Sequence, residues 1–503
     1  MRTTLLMNAA SIVEKADEQV LPAVYYFIGR SLNASPSDLG YLTLCRAMVQ
    51  ALSSPVSGLL GDKYDRTHIV AFGCFLWGIM TSVIGLSTSL RQAMLSCAIN
   101  GFGLALVIPC VASLIADYHP SESRGRAFGF MNFTSSIGGM LGGFFATNIG
   151  ATSPAGIDGW RFAFHLMAAV SLVTAVLVLY FAADPRPKAT ISPLLLGMPA
   201  RGTAESQERD ALLTANKPTP LHSSGSLKAL TASSSYKKPN RMVVRAREIW
   251  QDVMSVLEIR TFQIIVLQGI VGSIPWTALA FFTVWLQLLG FSNWIASCLV
   301  AVFYSGCACG AFGGGSIGDY MEKAQPNRGR ILTAQFSALS GIPLTVILLK
   351  GLPTSAAAGI DSLAITYGCV LFIMGLLVSW CGANNSAMFA EIVPEQLRST
   401  VYAFDRSFEG AVAACGAPLV GLLAEKVFGF EGSVTQTAEA VAGRDFTNAA
   451  ALSSSLVCCL TVPWALCLLS YTGLFWVYAR DRRIASVKSN KRFSRTVEDG
   501  RKP

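Results

Sequence analysis

Residues 61–66 read GDKYDR, and residues 318–323 read GDYMEK. Both stretches stand where a long apolar segment ends and charged residues begin, and both open with a Gly-Asp pair. A motif that returns far along the chain, at the end of a similar segment, is typical of an internal repeat.

Two further pairs of motifs repeat in the same order along the chain. In both halves an acidic residue is followed seven residues later by an arginine, and in both halves a six-residue segment begins and ends with glycine. One such match is weak evidence, but three in the same order indicate two related halves. The pairs are Asp117 with Arg124 and Glu391 with Arg398, and the glycine segments are GGMLGG at 138–143 and GAPLVG at 416–421.

The composition excludes an ordinary soluble globular protein. The chain has 503 residues, of which 52% are hydrophobic and 14% are charged, whereas soluble domains carry about 25% charged residues. A chain of this length with so little charge is expected to bury its surface in lipid. The first apolar stretch is too long and too charged for a cleavable signal peptide, so we expect it to be the first membrane helix.

Twelve stretches are long and apolar enough to cross a bilayer, which takes about 20 residues of helix. We expect helices because lipid offers no water to satisfy an open backbone. In chain order, helices 1 to 12 are predicted at 3–30, 37–61, 67–88, 92–116, 124–149, 160–183, 259–289, 292–317, 330–350, 360–390, 398–427 and 448–479.

The predicted fold class is an all-α membrane protein with two pseudo-symmetric bundles of six helices. A segment rich in Ser, Thr, Pro and Lys separates the bundles and is expected to be a flexible cytosolic linker. A basic amphipathic segment follows it and is expected to lie on the membrane lipid. The predicted parts are 1–183 for the first bundle, 184–240 for the linker, 241–258 for the interfacial helix, 259–480 for the second bundle and 481–503 for a basic cytosolic tail.

The distribution of Lys and Arg predicts the orientation. If both termini are cytosolic, 30 of the 39 basic residues lie in cytosolic termini and loops, six lie in the opposite loops and three lie inside helices. Cytosolic loops carry the excess of basic residues, so we expect cytosolic termini, in a plasma membrane or an endomembrane. Topology then explains the net charge of +9, and we expect no nucleic-acid partner.

No metal site, cofactor or enzymatic activity is predicted. The 13 cysteines lie in apolar segments without a Cys-x-x-Cys motif, and the histidines are far apart, so we interpret the cysteines as small buried hydrophobes. The sequence has no Gly-x-x-x-x-Gly-Lys-Ser/Thr loop for ATP, so a primary pump is not expected.

These motifs resemble those of the major facilitator superfamily, whose secondary transporters consist of paired six-helix halves. GLLGDKYDR at 58–66 is similar to the family's loop between helices 2 and 3, and GWRFAF at 159–164 is similar to its entry into helix 6. The same loop, followed by Gly73 and Trp77, is most similar to the spinster-like branch, including plant and algal members of unsettled substrate. Helix 1 differs, with Glu-Lys at 14–15 where that branch carries Asp-Arg.

The resemblance implies a gate on the cytosolic side. It implies that Asp62 caps the start of helix 11, where the helix dipole favours an anion, and that Arg66 pairs with Asp117. Both contacts would hold that side closed and break as the halves move, although ordinary solvated loops are the alternative. The other gate residues are expected to be Arg124 in the first half and Asp319, Lys323, Glu391 and Arg398 in the second.

Eight ionisable residues lie inside predicted membrane helices, near the midplane where substrate and ion sites are usual. Five acids face three bases, so at least two carboxylates lack a basic partner and are candidates to carry a coupling proton. Glu14 and Glu18, one turn apart, are the leading candidates and Glu409 is the reserve; purely structural pairing is the alternative. The eight residues are Glu14, Lys15, Asp17, Glu18, Arg46, Asp405, Arg406 and Glu409.

By analogy with the family, helices 1, 4, 7 and 10 line the substrate cavity. Their amide and aromatic side chains suit a neutral or amphipathic ligand, and helices 4, 7 and 10 offer no arginine to clamp a phosphate. The expected lining residues are Asn100, Gln268, Trp276, Thr277, Gln287, Trp380, Asn384 and Asn385.

Three functions remain open from the sequence. The first is a secondary active transporter of a small organic solute, working by alternating access, coupled to protons and functional as a monomer. The second is a spinster-like transporter of lysophospholipid or sphingoid lipid, and the third is a membrane receptor or scaffold that transports nothing. A gate motif favours the transporters, because a scaffold needs no gate.

Overall fold

The structure is a computed structural model that describes residues 2–119, 121–185, 254, 258–354, 360–393, 408–431 and 441–499. Within these ranges some side chains are not described, among them those of Asp62, Lys63 and residues 121–129. Most of the predicted linker and interfacial helix therefore lies outside the described residues. The same holds for Arg398, Asp405 and Arg406.

The first half contains six long helices at the predicted positions. Helix 1 has two segments, Arg2–Ala23 and Tyr25–Leu32, which are separated at Val24. Its last segment ends at Asn33 in the left-handed conformation, with φ of 50°. The others are helix 2 at Pro36–Lys63, helix 3 at Arg66–Leu86, helix 4 at Leu90–Tyr118, helix 5 at Ser121–Gly150 and helix 6 at Gly159–Phe181.

The second half repeats this arrangement with more interruptions. Helix 7 consists of Arg260–Ala278 and Phe282–Leu288, joined by a 3-10 turn at Leu279–Phe281. Helix 12 is continuous over Val441–Asp499, so it extends beyond the predicted end into the basic tail. Helix 8 lies at Asn293–Ala324, and helix 9 lies at Gly329–Val346 and ends in a π turn at Ile347–Gly351. Helix 10 follows a 3-10 turn at Ile360–Leu363 and has two segments, Ala364–Val378 and Trp380–Ile392. Helix 11 lies at Gly416–Lys426 and follows helical residues 408–413.

The described residues are helical in all twelve predicted stretches and contain no strand, so the predicted fold class is confirmed. Nine of the described helices are by themselves long and apolar enough to span a membrane. Helices 1, 2 and 5 are not among the nine. Helix 1 carries the charges of residues 14–18, which lower its mean hydropathy.

Two seams join the halves, and they are related by the internal repeat. Helix 2 packs against helix 11, and helix 8 packs against helix 5. The duplication pairs each helix with the one six places later, so helix 2 corresponds to helix 8 and helix 5 to helix 11. Each seam is therefore the counterpart of the other, which is the arrangement expected of two repeats related by an axis along the membrane normal.

Different chain segments lie on the two membrane sides. The terminal side is the one on which helix 1 begins and helix 6 ends. It holds residues 64–65, 182–185, 325–328 and 393, and the distal side holds residues 33–35, 87–89, 151–158, 289–292 and 352–354.

The buried apolar residues form one cluster on the distal side and two on the terminal side. The distal cluster is shared between the halves, from Val24 and Trp160 in the first to Trp285 and Leu456 in the second. The terminal clusters each belong to one half. In the described part of the chain the hydrophobic core is thus continuous across the halves on the distal side and divided on the terminal side.

Contacts across the seams also lie towards the distal side. Asn148 Nδ2 at the end of helix 5 donates to Ser297 Oγ at the start of helix 8 at 3.0 Å. The Phe144 and Trp294 rings meet edge-on there, with 4.8 Å between ring centroids. These contacts describe a bundle that is closed on its distal side.

Glycine lets the helices of the distal seam approach until their backbones touch. A Cβ built on Gly40 of helix 2 would lie 2.6 Å from the Cα and N atoms of Pro418 in helix 11. Within the first half, a Cβ on Gly138 or Gly142 would lie 2.5 or 2.6 Å from a backbone oxygen of helix 1. These are the close approaches that small residues permit between membrane helices.

We predict that Gly40→Ala lowers the thermal stability of the detergent-purified protein. The new methyl group would overlap backbone atoms that cannot rotate away, and such overpacking costs about 1–3 kcal/mol. Gly313→Ala in helix 8 is the matched control, because a Cβ there meets nothing within 4 Å. The control is expected to keep or slightly raise the melting temperature, and equal melting temperatures for both variants would contradict the close seam.

Candidate functional site

The charged residues of helix 1 fall into two separate groups. The first is a buried pair in which Arg46 Nη2 of helix 2 lies 3.2 Å from Asp17 Oδ2. Arg46 Nη1 also donates to the Asp17 backbone oxygen at 3.3 Å, and Thr81 Oγ1 of helix 3 donates to Asp17 Oδ1 at 2.9 Å. Both charges are buried, and the partners described for them come from helices 1, 2 and 3.

Asn100 completes this buried network. Its Nδ2 atom donates to Thr81 Oγ1 at 2.9 Å and to the Trp77 backbone oxygen at 3.3 Å. Asn100 was expected in the substrate cavity, but only 1% of its surface is exposed. The side chain is turned into the contact between helices 3 and 4, where it supports Asp17 through Thr81, and its place in the substrate cavity stays a prediction.

The second group consists of one base and two acids. Lys15 Nζ lies 3.7 Å from Glu14 Oε1 and forms a hydrogen-bonded ion pair with Glu18. The Lys15 and Glu18 side chains are each 44% exposed, whereas the Glu14 side chain is 7% exposed. We call Glu14, Lys15 and Glu18 the helix 1 triad. Its three formal charges do not cancel.

A cleft between the halves lies one helical turn from the triad. Gln19, which follows Lys15 by four residues and thus shares its helix face, is part of its wall. The cleft is walled by helices 1 and 5 of one half and helices 7 and 8 of the other, through Gln19, Gly143, Thr147, Thr283, Ser297 and Tyr304 among others. Its lining is uncharged, partly hydroxylated and partly apolar.

Gln19, Thr283 and Tyr304 were not among the candidate lining residues. Their signal in the sequence is a polar side chain inside an apolar helix, but many such residues face neighbouring helices. Helices 1, 5, 7 and 8 contribute to this cleft, and a substrate cavity lined by helices 1, 4, 7 and 10 stays a prediction.

Glu409 of helix 11 lies against the backbone of helix 7. A Cβ built on Gly269 would lie 1.8 Å from Glu409 Oε1, so the carboxylate occupies the space that this glycine leaves. Glu409 is partly buried and makes further interactions. Asp405 and Arg406, predicted to share its layer, lie outside the described residues.

An uncharged network occupies the interior of the second half. Asn385 Nδ2 of helix 10 donates to Gln268 Oε1 of helix 7 at 2.6 Å, and the Tyr471 hydroxyl of helix 12 donates to Asn385 Oδ1 at 2.8 Å. Asn384 is fully buried, and its Nδ2 donates to the Trp380 backbone oxygen at 3.0 Å. Hydrogen bonds turn the Gln268 and Asn384 side chains into helix contacts in this structure, and their place in a substrate cavity stays a prediction.

The remaining predicted lining residues differ in their surroundings. Trp276 is 43% exposed. Thr277 Oγ1 donates to the Ala413 backbone oxygen of helix 11 at 2.7 Å, and Trp380 packs on Phe336 with 5.5 Å between ring centroids. Gln287 Nε2 donates to Asn293 Oδ1 at 2.8 Å on the distal side. Trp276 is therefore the one among these four with a large exposed surface.

On the terminal side, Arg66 is the centre of an ion cluster. Its Nη2 atom lies 2.7 Å from Asp117 Oδ2. It also binds Asp184, which sequence reasoning missed, with Nε donating to Oδ2 at 3.0 Å and Nη2 to Oδ1 at 2.7 Å. All of these residues belong to the first half, so this cluster joins helices 3, 4 and 6 and does not connect the halves. The side chains of Asp62 and Arg124 lie outside the described residues.

The second half has a counterpart that contains the expected acids Asp319 and Glu391 with other bases than expected. Arg330 at the start of helix 9 lies 2.8 Å from Asp319 and 3.5 Å from Glu391, and Arg482 of helix 12 lies 2.8 Å from Glu391. Arg330 occupies the place in helix 9 that Arg66 occupies in helix 3. The bases are thus Arg330 and Arg482, and the predicted Arg398 lies outside the described residues.

Comparison with known sequences identifies relatives among membrane transporters. A sequence profile of the Major Facilitator Superfamily matches residues 7–374. Quinolone resistance protein NorA of Staphylococcus aureus is 27% identical over 177 residues, which is 34% of this chain and 42% of NorA. Multidrug resistance protein 1 of Bacillus subtilis is 25% identical over 164 residues, 31% of this chain and 39% of that protein. The match spans about two fifths of each relative.

Solved structures share the fold over almost the whole chain. A bacterial homolog to the human lysosomal transporter Spinster, in an inward-facing and unoccupied conformation, has a TM-score of 0.71 at 18% identity, covering 95% of this chain and 98% of that chain. A D-xylose-proton symporter has a TM-score of 0.60 at 13% identity, covering 92% and 96%. At such identities the likeness concerns the fold.

The Arg66 cluster predicts unequal roles for its two acids. The Asp184 side chain is 6% exposed and bidentate, whereas the Asp117 side chain is 43% exposed. Asp184→Ala leaves a buried guanidinium short of its main partner and is expected to cost about 3–5 kcal/mol. Asp117→Ala removes an exposed pair and is expected to cost at most about 1 kcal/mol.

Thermal unfolding of the two purified variants tests this difference. Asp184→Ala should lower the melting temperature clearly more than Asp117→Ala. A larger effect at Asp117 would mean that the exposed pair, and not the bidentate one, holds the ends of helices 3, 4 and 6.

Proposed function

The chain belongs to the Major Facilitator Superfamily and is a multi-pass membrane transporter, and from this premise we propose that it carries a small organic solute by alternating access, coupled to a proton. The terminal side faces the cytosol in this proposal, because the Lys and Arg excess lies there. A single chain is the working unit, since both halves of the cleft come from one polypeptide.

The observation that carries the proposal is the helix 1 triad. One base serves two acids, Glu14 is buried, and Lys15 and Glu18 are half exposed beside the cleft. A buried carboxylate without a full counter-charge is costly inside a membrane protein, and binding a proton is the simplest way to neutralise it. Asp17, by contrast, forms the ion pair with Arg46 and accepts a hydrogen bond from Thr81, and we infer a structural role for it.

Proton binding would change both the partner of Lys15 and the net charge of the triad. With a proton on one of the two carboxylates, Lys15 pairs with the other and the triad is neutral. When the proton leaves, Lys15 is shared and the triad carries a negative charge. The cleft lies one turn away and is walled by both halves, and its volume of about 30 Å³ is too small for an organic solute in this conformation. In this proposal the halves move apart to admit the solute, so solute binding and the charge on helix 1 bias the same movement.

The lining of the cleft supports a neutral or amphipathic solute. Amide, hydroxyl and apolar surfaces alternate around it, and its described walls contain no charged residue. The names of the sequence relatives, a quinolone and a multidrug resistance protein, are compatible with such a ligand. A lysophospholipid or sphingoid lipid is the second candidate, favoured by the fold shared with the bacterial Spinster homolog.

We predict that a pH gradient drives solute accumulation in proteoliposomes of the wild-type protein. The panel contains a quinolone, a pentose, a nucleoside and a lysophospholipid. Glu14→Gln and Glu18→Gln fix one acid of the triad in a neutral form. Each is expected to abolish gradient-driven accumulation while solute exchange across the membrane, which needs no net proton movement, largely survives.

Glu431→Gln is the matched control, because Glu431 lies outside the membrane helices and its described hydrogen bonds to Asn448 involve only its backbone. The control should accumulate solute like the wild type. Full accumulation in both triad variants would remove proton coupling from helix 1 and leave uniport or another ion as the function. Transport of the lysophospholipid alone would favour the lipid carrier, and no transport of any solute would favour a receptor or scaffold.

A further inference from the structure

Helix 11 carries an acid at the end where its own dipole disfavours one. Glu425 stands in the last turn of Gly416–Lys426, and the C-terminal end of a helix carries partial negative charge. Its carboxylate is directed at the first turn of helix 2 in the opposite half. Oε1 accepts from the Ser37 backbone N–H at 2.7 Å, and Oε2 accepts from the Ser37 hydroxyl at 2.9 Å.

The first turn of helix 2 is otherwise satisfied by its own residues. Pro36 has no N–H, and the Asp38 N–H donates to the N-cap Ser35 Oγ at 3.3 Å. The Leu39 N–H donates to the Ser35 backbone oxygen at 3.1 Å. Among these first amides, that of Ser37 is the one whose described acceptor comes from another helix. Helix 2 is therefore capped jointly by its own Ser35 and by an acid of the other half.

The backbone geometry of the seam fits this contact closely. A Cβ on Gly421, one turn before Glu425 on the same face of helix 11, would lie 2.4 Å from the Ser37 nitrogen. Any larger residue at 421 would push Glu425 away from Ser37. The glycine and the acid thus act together, since one permits the approach and the other makes the hydrogen bonds.

We propose that Glu425 is a positioning residue for transport, which holds the distal side closed by capping helix 2 across the seam. When the halves separate there, helix 2 loses a charged cap and Glu425 is left at the unfavourable end of its own dipole. The related seam between helices 5 and 8 closes through the neutral pair of Asn148 and Ser297. Of these two hydrogen-bonded contacts across the seams, the charged one is therefore the stronger.

This inference goes beyond the proposed function. It requires that the two halves separate on the distal side, whether or not a proton drives that movement. The test needs neither solute nor gradient. Hydrogen–deuterium exchange of the reconstituted protein is followed by mass spectrometry in segments 33–40, 144–152 and 293–300. The first segment contains Ser37, and the other two form the distal part of the second seam.

Glu425→Ala is expected to speed exchange in all three segments, by roughly tenfold where a charged hydrogen bond is lost. Glu425→Gln keeps an oxygen acceptor without the charge and should give a smaller increase of the same pattern. Glu431→Gln, on the same side of the membrane but outside the seam, should exchange like the wild type. If Glu425→Ala does not fold, Glu425→Gln alone decides the outcome by the same three segments.

Two results would overturn the proposal. In the first, exchange is faster in 33–40 but keeps its wild-type rate in 144–152 and 293–300. Glu425 would then cap helix 2 locally without stabilising the seam between helices 5 and 8. Wild-type rates in all three segments would mean that the distal side is held closed without it.

Discussion

The burial of charge between membrane helices is the constraint on which the rest of this structure depends. A charge placed there needs a partner from within the protein, because lipid offers none. Asp17 obtains Arg46 and Thr81 from helices 2 and 3, and Asn100 supports Thr81 from helix 4. Four helices of the first half are thereby joined around one ion pair. The helix 1 triad lies on the same helix without such support, and we interpret that imbalance as the origin of coupling.

The two halves use the same architecture for different chemistry. In the first half the described buried network is built around the ion pair of Asp17 and Arg46. In the second half it consists of amide and hydroxyl groups, those of Gln268, Asn385 and Tyr471. Glu409 adds a carboxylate against Gly269. The hydrophobic core explains how such halves can move as units. It is divided between them on the terminal side and shared on the distal side, so opening one side and closing the other rearranges the seams and leaves each half intact.

Much of the fold could be predicted because it depends on short-range patterns. Apolar length placed twelve helices, and repeated motifs at helix ends revealed two halves. The site was harder, because a position along a helix gives the depth of a side chain in the membrane and not its direction. Asn100 and Asn384 were therefore expected in the cavity but lie inside helix contacts. Asp184 and Glu425 escaped prediction for a different reason, since their partners Arg66 and Ser37 are distant in sequence. Arg330 pairs with the nearby Asp319 and with the distant Glu391, across three helices whose arrangement the sequence does not show.

The central claim is that a carboxylate of the helix 1 triad changes its protonation during transport. Infrared difference spectroscopy of the reconstituted protein, recorded between acidic and alkaline buffer, observes protonated carboxyl groups directly. We predict a carboxyl band that responds to pH in the wild type and in Asp158→Asn, an acid of the distal loop, and that is lost in Glu14→Gln or in Glu18→Gln. A pH-dependent band that persists unchanged in both triad variants, or no such band in the wild type, would contradict the account.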